Sequence, residues 1–132
     1  MGASKGFTHT FESTQDFIRA HLNSEKNYLF GLFLENTLVG TSRLHDIDWN
    51  GLFAWQGVLI FKNLQGKGFG SLLVKTVSDY VLQYCGISKI QAGILERNII
   101  SQKVFLKSGF HHFENDTTFD GRQIWIKEKN SV

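Results

Sequence analysis

The stretch QGKGFG, residues 65–70, places three glycines at alternate positions directly before a long helix-forming segment. A glycine loop between a strand and a helix can direct successive backbone N–H groups into one concavity, backed by the positive end of the helix dipole. Phosphate is the most common anion in such a concavity. Because one glycine would suffice for an ordinary strand-to-helix turn, the three glycines predict a phosphate-binding loop.

Two familiar phosphate motifs do not fit this loop. A P-loop requires Ser or Thr directly after Gly-Lys, whereas Lys67 is followed by Gly68. A dinucleotide-binding fingerprint read from Gly66 meets Ser71 where its third glycine or alanine belongs. No acidic residue lies about twenty positions further on to hold a ribose. Specific residues therefore exclude both motifs.

Hydrophobic patterning predicts one α/β (α+β) domain over residues 1–132, with the element order α-β-β-β-α-β-α-β-β. The strand before the glycine loop, the helix after it and the next strand form a βαβ crossover. These two strands should be parallel neighbours in a mixed sheet of about six strands. The predicted strands are Tyr28–Leu34, Leu38–Ile47, Leu52–Phe61, Lys89–Leu95, Phe110–Asn115 and Arg122–Lys129.

Helix signals occur at three places. The capping-box-like pair Ser13 and Asp16 predicts a first helix that ends near Asn23. The last helix is expected over residues 98–108, with Gly109 as a left-handed stop and Phe110 as its apolar anchor. The helix after the glycine loop has the strongest signal, an apolar stripe formed by Phe69, Leu72, Leu73, Thr76, Val77, Tyr80, Val81 and Tyr84, with Ser78 on the opposite face.

Two glycines mark irregular backbone between these elements. Asn50 and Gly51 indicate a hairpin turn, because this pair tolerates the positive φ angles of tight turns. Gly57 interrupts the third strand, where it predicts a bulge or the close approach of another backbone or a ligand.

Composition and charge limit the cellular context. A formal net charge of +2 without a long basic run gives no indication of nucleic-acid binding. The single cysteine, Cys85, cannot form an internal disulfide and fits a buried thiol in a reducing compartment. No apolar stretch is long enough to span a bilayer, and the first residues lack the apolar core of a secretory signal. The sequence therefore predicts a soluble, cytoplasmic protein.

Two segments together resemble a known enzyme family. QGKGFG resembles the Gln/Arg-x-x-Gly-x-Gly/Ala signature of the GCN5-related N-acetyltransferases, in which this loop holds the pyrophosphate of acetyl-CoA. NIISQKVFLKSGF, residues 98–110, resembles the second signature, with an asparagine, a small residue three positions on and a terminal Lys-x-Gly-Phe. With LVGTSRLHDID upstream, the pattern is closest to the branch of ribosomal-protein alanine and nucleotide-aminosugar acetyltransferases. The resemblance covers residues 28–113.

The resemblance implies a site for acetyl-CoA as co-substrate on a GNAT-like domain. In the family, the strand before the glycine loop splays from its parallel neighbour and pairs with pantetheine. A backbone N–H near Val58 would then polarise the acetyl carbonyl. Lys103 and Lys107 either approach the adenosine and its 3′-phosphate or form a solvated basic face. The implied cofactor contacts are Val58, Leu59, Ile60, Gln65, Gly66, Lys67, Gly68, Phe69, Gly70, Ser71, Asn98, Lys103, Phe105 and Lys107.

The resemblance leaves the general acid open. Many members have a tyrosine seven residues after the asparagine as the acid, but this position is Phe105, which has no proton to give. In the ribosomal-protein branch a serine three residues after the asparagine has this role, and Ser101 stands there. Alternatively, Asn98 caps the helix and Ser101 is an ordinary residue of its first turn.

The general base is also open. Several relatives place a glutamate two residues before the strand glycine, where this chain has Trp55. Asp48 and Glu96 are the favoured candidates, and His45, Asp46 or a water chain held by backbone carbonyls are the alternatives. Asp48 is equally explained as the polar end of a strand that leads into a turn. The neighbouring His111 and His112 must point to opposite faces of a strand, so no metal is implied.

The function predicted from these residues is acetyl transfer from the CoA thioester to a primary amine by direct attack in a ternary complex. The acceptor is a small amine, an aminosugar nucleotide or a protein α-amine. The alternatives are an acyl-CoA-binding module that has lost catalysis and a structural α/β domain. Only about twelve residues precede the first predicted helix, which is short for the family. We therefore expect an abbreviated acceptor side or a homodimer whose second subunit completes it.

Overall fold

The computed structural model describes residues 7–11 and 15–129. Within these residues, eight strands form one mixed sheet in the order β1-β2-β3-β4-β5-β6-β8-β7. The α/β fold with a βαβ crossover is confirmed, although the sheet has eight strands rather than about six. The elements are β1 (Thr8–Thr10), β2 (Phe17–Ser24), β3 (Asn27–Leu34), β4 (Thr37–Asp48), β5 (Phe53–Ile60), a 3-10 turn (Lys62–Leu64), α1 (Phe69–Tyr84), β6 (Lys89–Leu95), α2 (Ile99–Lys107), β7 (His111–Asn115) and β8 (Arg122–Glu128).

The first predicted helix is wrong, because its residues form strand β2. Ser13 lies outside the described residues, and Asp16 accepts a hydrogen bond from the Glu35 N–H at 2.9 Å instead of starting a helix. Along β2, Ile18 and Ala20 are buried while Arg19 is exposed, which is the period of a strand. Antiparallel pairing with β3 satisfies the backbone hydrogen bonds of β2. The apolar spacing of this short segment fits a helix and a strand equally well, so the contacts with β3 select the strand.

Strands β5 and β6 are parallel neighbours, as predicted, but they pair over a short length. Their register runs from Phe53 opposite Lys89 only to Trp55 opposite Gln91. Beyond this point β5 continues against β4 and β6 continues against β8. The two strands therefore separate at their carboxyl ends, next to the glycine loop.

Helix α1 covers one face of the sheet with a stripe that differs from the predicted one. Its buried residues include Leu73 and Val77 as expected, but also Val74, Ser78 and Leu82, whereas Leu72 and Tyr84 are exposed. Ser78 is tolerated in the interface because its hydroxyl accepts a hydrogen bond from Lys127 Nζ at 2.7 Å. Burial lowers the pKa of Lys127, although the Asp79 carboxylate beside it opposes this shift.

Helix α2 ends as the sequence predicts. Gly109 has a φ of +98°, and its N–H donates to the Leu106 carbonyl. The Phe110 N–H donates to the Phe105 carbonyl at 2.9 Å, and the two rings pack edge to face. This is a Schellman motif with its apolar contact, and it turns the chain directly into β7.

The predicted irregularities lie at other residues. No register shift occurs at Gly57 within the described pairing of β4 and β5, and the shift lies between His45 and Asp48 on the opposite strand. In the turn that follows, the positive φ belongs to Leu52 rather than to Asn50 or Gly51. Asp46 also has a positive φ, of +51°, which is rare for a residue with a side chain.

Candidate active site

The glycine loop opens into a cavity of about 500 Å³ between the end of β5, the start of α1 and one face of α2. We refer to it as the glycine-loop cavity. Most of the residues predicted to contact acetyl-CoA line this one space. The lining residues are Val58, Leu59, Ile60, Leu64, Gln65, Gly66, Gly68, Phe69, Gly70, Ser71, Asn98, Ile100, Ser101, Lys103, Val104 and Lys107.

The loop backbone at this cavity requires glycine at two positions. Gly66 and Gly68 have φ angles of +80° and +86°, in the left-handed region that other residues adopt at a cost. Gly68 is the N-cap of α1, and no side chain among the described residues caps this helix. The first N–H groups of α1 therefore have no intrahelical or capping partner, and they can bind an anion.

A glutamine fixes the loop to the sheet. Gln65 Nε2 donates to the Ile60 carbonyl at 2.9 Å, across the 3-10 turn that follows β5. This hydrogen bond uses a carbonyl at the last residue of the strand. It holds the start of the glycine loop close to the point where β5 and β6 separate.

The separated part of β5 is supported from the helix side by buried polar residues. Ser42 Oγ donates to the Gly57 carbonyl at 2.7 Å and accepts from Gln56 Nε2 at 3.0 Å. Gln56 Nε2 also approaches the Val74 carbonyl of α1 at 3.4 Å. Both side chains are almost fully buried. They tie β4, β5 and α1 together behind the strand edge that β6 leaves unpaired.

Helix α2 contributes the opposite wall. Asn98 caps the helix by accepting from the Ser101 N–H at 3.1 Å, so the backbone rather than the hydroxyl of Ser101 is used in the cap. Lys103 and Lys107 lie one turn apart on the cavity side. The lining also contains Leu64, Ile100 and Val104, which were not predicted from the sequence. Ile100 and Val104 form an apolar pair at i, i+4 beside the two lysines, which was a usable signal.

Two residues that were predicted to contact acetyl-CoA do not line the glycine-loop cavity. Phe105 is 3% exposed and packs on Phe110 in the core, so its assignment as a cofactor contact is corrected. It lies in the core because it is outside the helix stripe of Ile100, Lys103, Val104 and Lys107 that lines the cavity. Lys67 is exposed between Gly66 and Gly68, outside the lining residues.

Neither Asp48 nor Glu96, the two favoured base candidates, lines the glycine-loop cavity. Asp48 Oδ1 accepts from the N–H groups of Asn50 and Gly51 at 2.9 and 2.8 Å, so this carboxylate stabilises the turn. Asp48 pairs with Phe53 of β5. Phe53 lies five residues, or roughly 16 Å, along the strand from Val58 in the glycine-loop cavity. Glu96 is exposed in the loop before α2, outside the lining of the glycine-loop cavity.

A second cavity, of about 380 Å³, lies on the sheet face opposite α1. It is lined by Leu29, Thr41, Arg43, His45, Gly57, Val58 and Leu59, and we refer to it as the sheet-face cavity. The glycine-loop cavity and the sheet-face cavity share Val58 and Leu59, so they meet at the unpaired end of β5. His45 Nδ1 lies 2.7 Å from Asp46 Oδ2.

Aromatic and basic groups extend this face beyond the sheet-face cavity. The Arg122 guanidinium lies over the rings of Trp55 and Phe119, at 5.8 and 4.7 Å from their centroids. Asp116 Oδ2 accepts from Arg122 Nε at 2.8 Å and fixes this stack. Hydrogen bonds from the Thr118 N–H and hydroxyl, with that from Arg122, lower the pKa of Asp116 to about 2.

Comparison with known proteins identifies the family. The family model described as the acetyltransferase (GNAT) domain matches residues 3–111, so this chain belongs to the GNAT family. It is 34% identical over 93 residues to the probable N-acetyltransferase YjcK of Bacillus subtilis, covering 68% of this chain. The chain spans only 51% of the length of YjcK.

Solved structures share the fold at lower identity. The ribosomal-protein-S5-alanine acetyltransferase of Vibrio fischeri has a TM-score of 0.69 at 20% identity, over 80% of this chain and 63% of that one. The spermidine N-acetyltransferase of Vibrio cholerae, solved with CoA and spermine, has a TM-score of 0.69 at 20% identity, over 83% and 69%. The family prediction is confirmed, and a member of the predicted branch is among the structural neighbours.

Among the described residues, no helix has the length and apolar character required to cross a membrane.

Proposed function

We propose that the protein is an N-acetyltransferase that moves an acetyl group from the thioester of acetyl-CoA to a primary amine. The observation that carries the proposal is the meeting of two cavities at Val58 and Leu59. The glycine-loop cavity has the backbone donors and lysines that suit a nucleotide phosphate. The sheet-face cavity opens on the opposite side of the sheet. A thioester at the shared strand segment would be within reach of an acceptor in the second cavity.

Acetyl-CoA fits the groups that line the glycine-loop cavity. The uncapped start of α1 suits the pyrophosphate, and Lys103 and Lys107 suit the additional 3′-phosphate. The backbone edge of β5 beyond Trp55 is free to pair with the amides of pantetheine. Apolar contacts from Leu64, Ile100 and Val104 complete the wall.

The reaction is a direct attack in a ternary complex. The acceptor nitrogen attacks the thioester carbonyl, a C–N bond forms and the C–S bond breaks. A backbone N–H near Val58 stabilises the oxyanion, and the Ser101 hydroxyl donates a hydrogen bond to the departing thiolate. The amine loses one proton and the thiolate gains one, which gives an amide and free CoA.

The charge of the sheet-face cavity argues against a polyamine as the acceptor. Arg43 is the lining residue with a permanent charge, whereas Arg122, which lies over Trp55, is paired with the Asp116 carboxylate. Spermine and spermidine, which appear in the names of relatives, would bring several cations against Arg43. We infer an acceptor with one reactive amine and a neutral or anionic remainder, as in an aminosugar nucleotide or a protein α-amine.

A non-catalytic acyl-CoA-binding module of the same fold is the second candidate. It is favoured by Trp55 and Phe105, which stand where relatives place a base and an acid. Thiol release from acetyl-CoA that depends on an added amine distinguishes the two, because a binding module would hold acetyl-CoA without releasing CoA.

We also propose a cytoplasmic homodimer. Every residue of edge strand β7 is exposed, including Phe113 at 56%, so the edge is available for pairing with a second copy. A cytoplasmic location follows from the proposed use of acetyl-CoA. Light scattering coupled to size exclusion tests the dimer, and a monomer at assay concentrations would contradict it.

The test of the cofactor site is calorimetric titration of acetyl-CoA into wild type and two glycine variants. Gly68→Glu places a negative side chain in the proposed phosphate cradle and should abolish binding. Gly86→Glu is the matched control, because Gly86 has a similar φ of +75° and open space around its Cβ, but lies after α1. Equal affinity of Gly68→Glu and Gly86→Glu for acetyl-CoA would refute the site.

A further inference from the structure

Among the residues that line the two cavities, one carries an imidazole. His45 lines the sheet-face cavity together with Gly57, Val58 and Leu59. In the β4–β5 register Arg43 lies opposite Gly57 and His45 opposite Trp55. His45 and Gly57 are thus diagonal neighbours, about 7–8 Å apart. An amine bound in the sheet-face cavity and attacking at Val58 would share this cavity with the imidazole.

The backbone at Asp46 turns its carboxylate toward His45. Successive side chains of a regular strand point to opposite faces, so neighbours normally do not touch. Here the register of β4 shifts between His45 and Asp48, and Asp46 has a φ of +51°. As a result Asp46 Oδ2 lies 2.7 Å from His45 Nδ1. Aspartate is one of the few residues with a side chain that adopt this left-handed conformation readily.

The contact determines which ring nitrogen is available. A carboxylate accepts a proton donor, so Nδ1 carries the hydrogen and Nε2 keeps its lone pair. The same carboxylate stabilises the imidazolium after Nε2 has taken a proton.

We propose that His45 is the general base of the reaction and that Asp46 is its positioning residue. This rests on the proposed acetyltransferase function. The lone pair of Nε2 takes one proton from the acceptor nitrogen as the N–C bond forms and the C–S bond breaks. The imidazolium then returns that proton to solvent, so the base is regenerated and no further reactant is needed.

Other titratable groups face this region. Asp46 and Arg43 lie on β4 itself, and Arg122 of β8 reaches over Trp55 from the other side. Strand β3 contributes Leu29 to the lining, and His21 lies opposite Leu29 on β2. The β2–β3 turn, whose Lys26 carbonyl accepts from the Ile47 N–H, carries Glu25 and Lys26. His21 is near the sheet-face cavity but is not one of its lining residues, so a substitution of His21 serves as the control.

The experiment measures thiol release from acetyl-CoA with three probe amines: spermidine, glucosamine 6-phosphate and an alanine-terminated peptide. His45→Gln should lower kcat by about 10²–10³-fold at neutral pH with an unchanged KM for acetyl-CoA. Asp46→Asn should lower kcat by about tenfold, because asparagine tolerates the positive φ but does not orient the ring as strongly. His21→Gln should match wild type.

The pH profile separates catalysis from structure. The rate deficit of His45→Gln relative to wild type should shrink at high pH, where more of the acceptor amine is already neutral, whereas a purely structural loss would stay constant. Nitrogen NMR should show the proton on Nδ1 of His45. An unchanged kcat in His45→Gln, or a proton on Nε2, would overturn the base alone. No thiol release by wild type with any probe would overturn the proposed function as well.

Discussion

At the scale of single residues, the general acid can be tested separately from cofactor binding. The Ser101 hydroxyl takes no part in the cap, since the Ser101 N–H makes that contact with Asn98. Ser101→Ala should therefore leave α2 intact and remove one hydrogen bond to the thiolate. A hydrogen bond to a charged group contributes about 1.5–3 kcal/mol, so kcat should fall about ten- to a hundredfold.

Thiol-release kinetics and calorimetry measure this effect. Acetyl-CoA affinity should change little in Ser101→Ala, and Ser101→Thr, which keeps a hydroxyl, should retain most of the rate. A kcat that is the same in wild type and Ser101→Ala would remove Ser101 from the mechanism. A parallel loss of acetyl-CoA affinity would instead make it a binding residue.

At the scale of elements, the buried network behind β5 holds the separated strand in place. Ser42→Ala removes the donor to the Gly57 carbonyl and the acceptor of Gln56 Nε2, while Gln56 Oε1 already has no partner among the described residues. Leaving buried polar groups unsatisfied costs about 1–3 kcal/mol of the free energy of unfolding. Because the same strand edge is the proposed pantetheine site, the KM for acetyl-CoA should rise.

Urea unfolding and steady-state kinetics test both expectations. Ser88→Ala is the matched control, because its hydroxyl also donates to a carbonyl, that of Leu52 at 3.1 Å, but in an exposed position. It should cost less than about 0.5 kcal/mol and leave KM unchanged. Equal effects of the two substitutions would show that the network has no special role.

The elements also show how far the sequence predicts the structure. Lys89–Leu95 forms β6 with the predicted bounds, and the glycine loop and Gly109 occur where the sequence analysis expected them, because glycine at positive φ is a local signal. The predicted first helix, which was expected to end near Asn23, is wrong, because its apolar spacing fits both periods and only pairing with β3 selects the strand. The contact between His45 and Asp46 could not be predicted either, since it depends on a register shift between β4 and β5.

At the scale of the whole molecule, the distribution of positive charge over the sheet face should select the acceptor. Arg43 lines the sheet-face cavity, whereas Arg19 lies exposed on β2, outside its lining. Arg43→Glu should favour spermidine over glucosamine 6-phosphate by about tenfold relative to wild type, because reversing one nearby charge changes the interaction by about 1.4 kcal/mol. Arg19→Glu makes the same change in net charge and should leave the preference within about twofold.

The ratio of kcat/KM for the two amines at low and moderate salt measures this preference. Screening shortens the reach of exposed charges, so the effect of Arg43→Glu should shrink as salt rises while remaining larger than that of Arg19→Glu. If both variants shift the ratio equally, only the net charge of the molecule matters. If wild type prefers spermidine, the inferred acceptor class is wrong even though the acetyltransferase function stands.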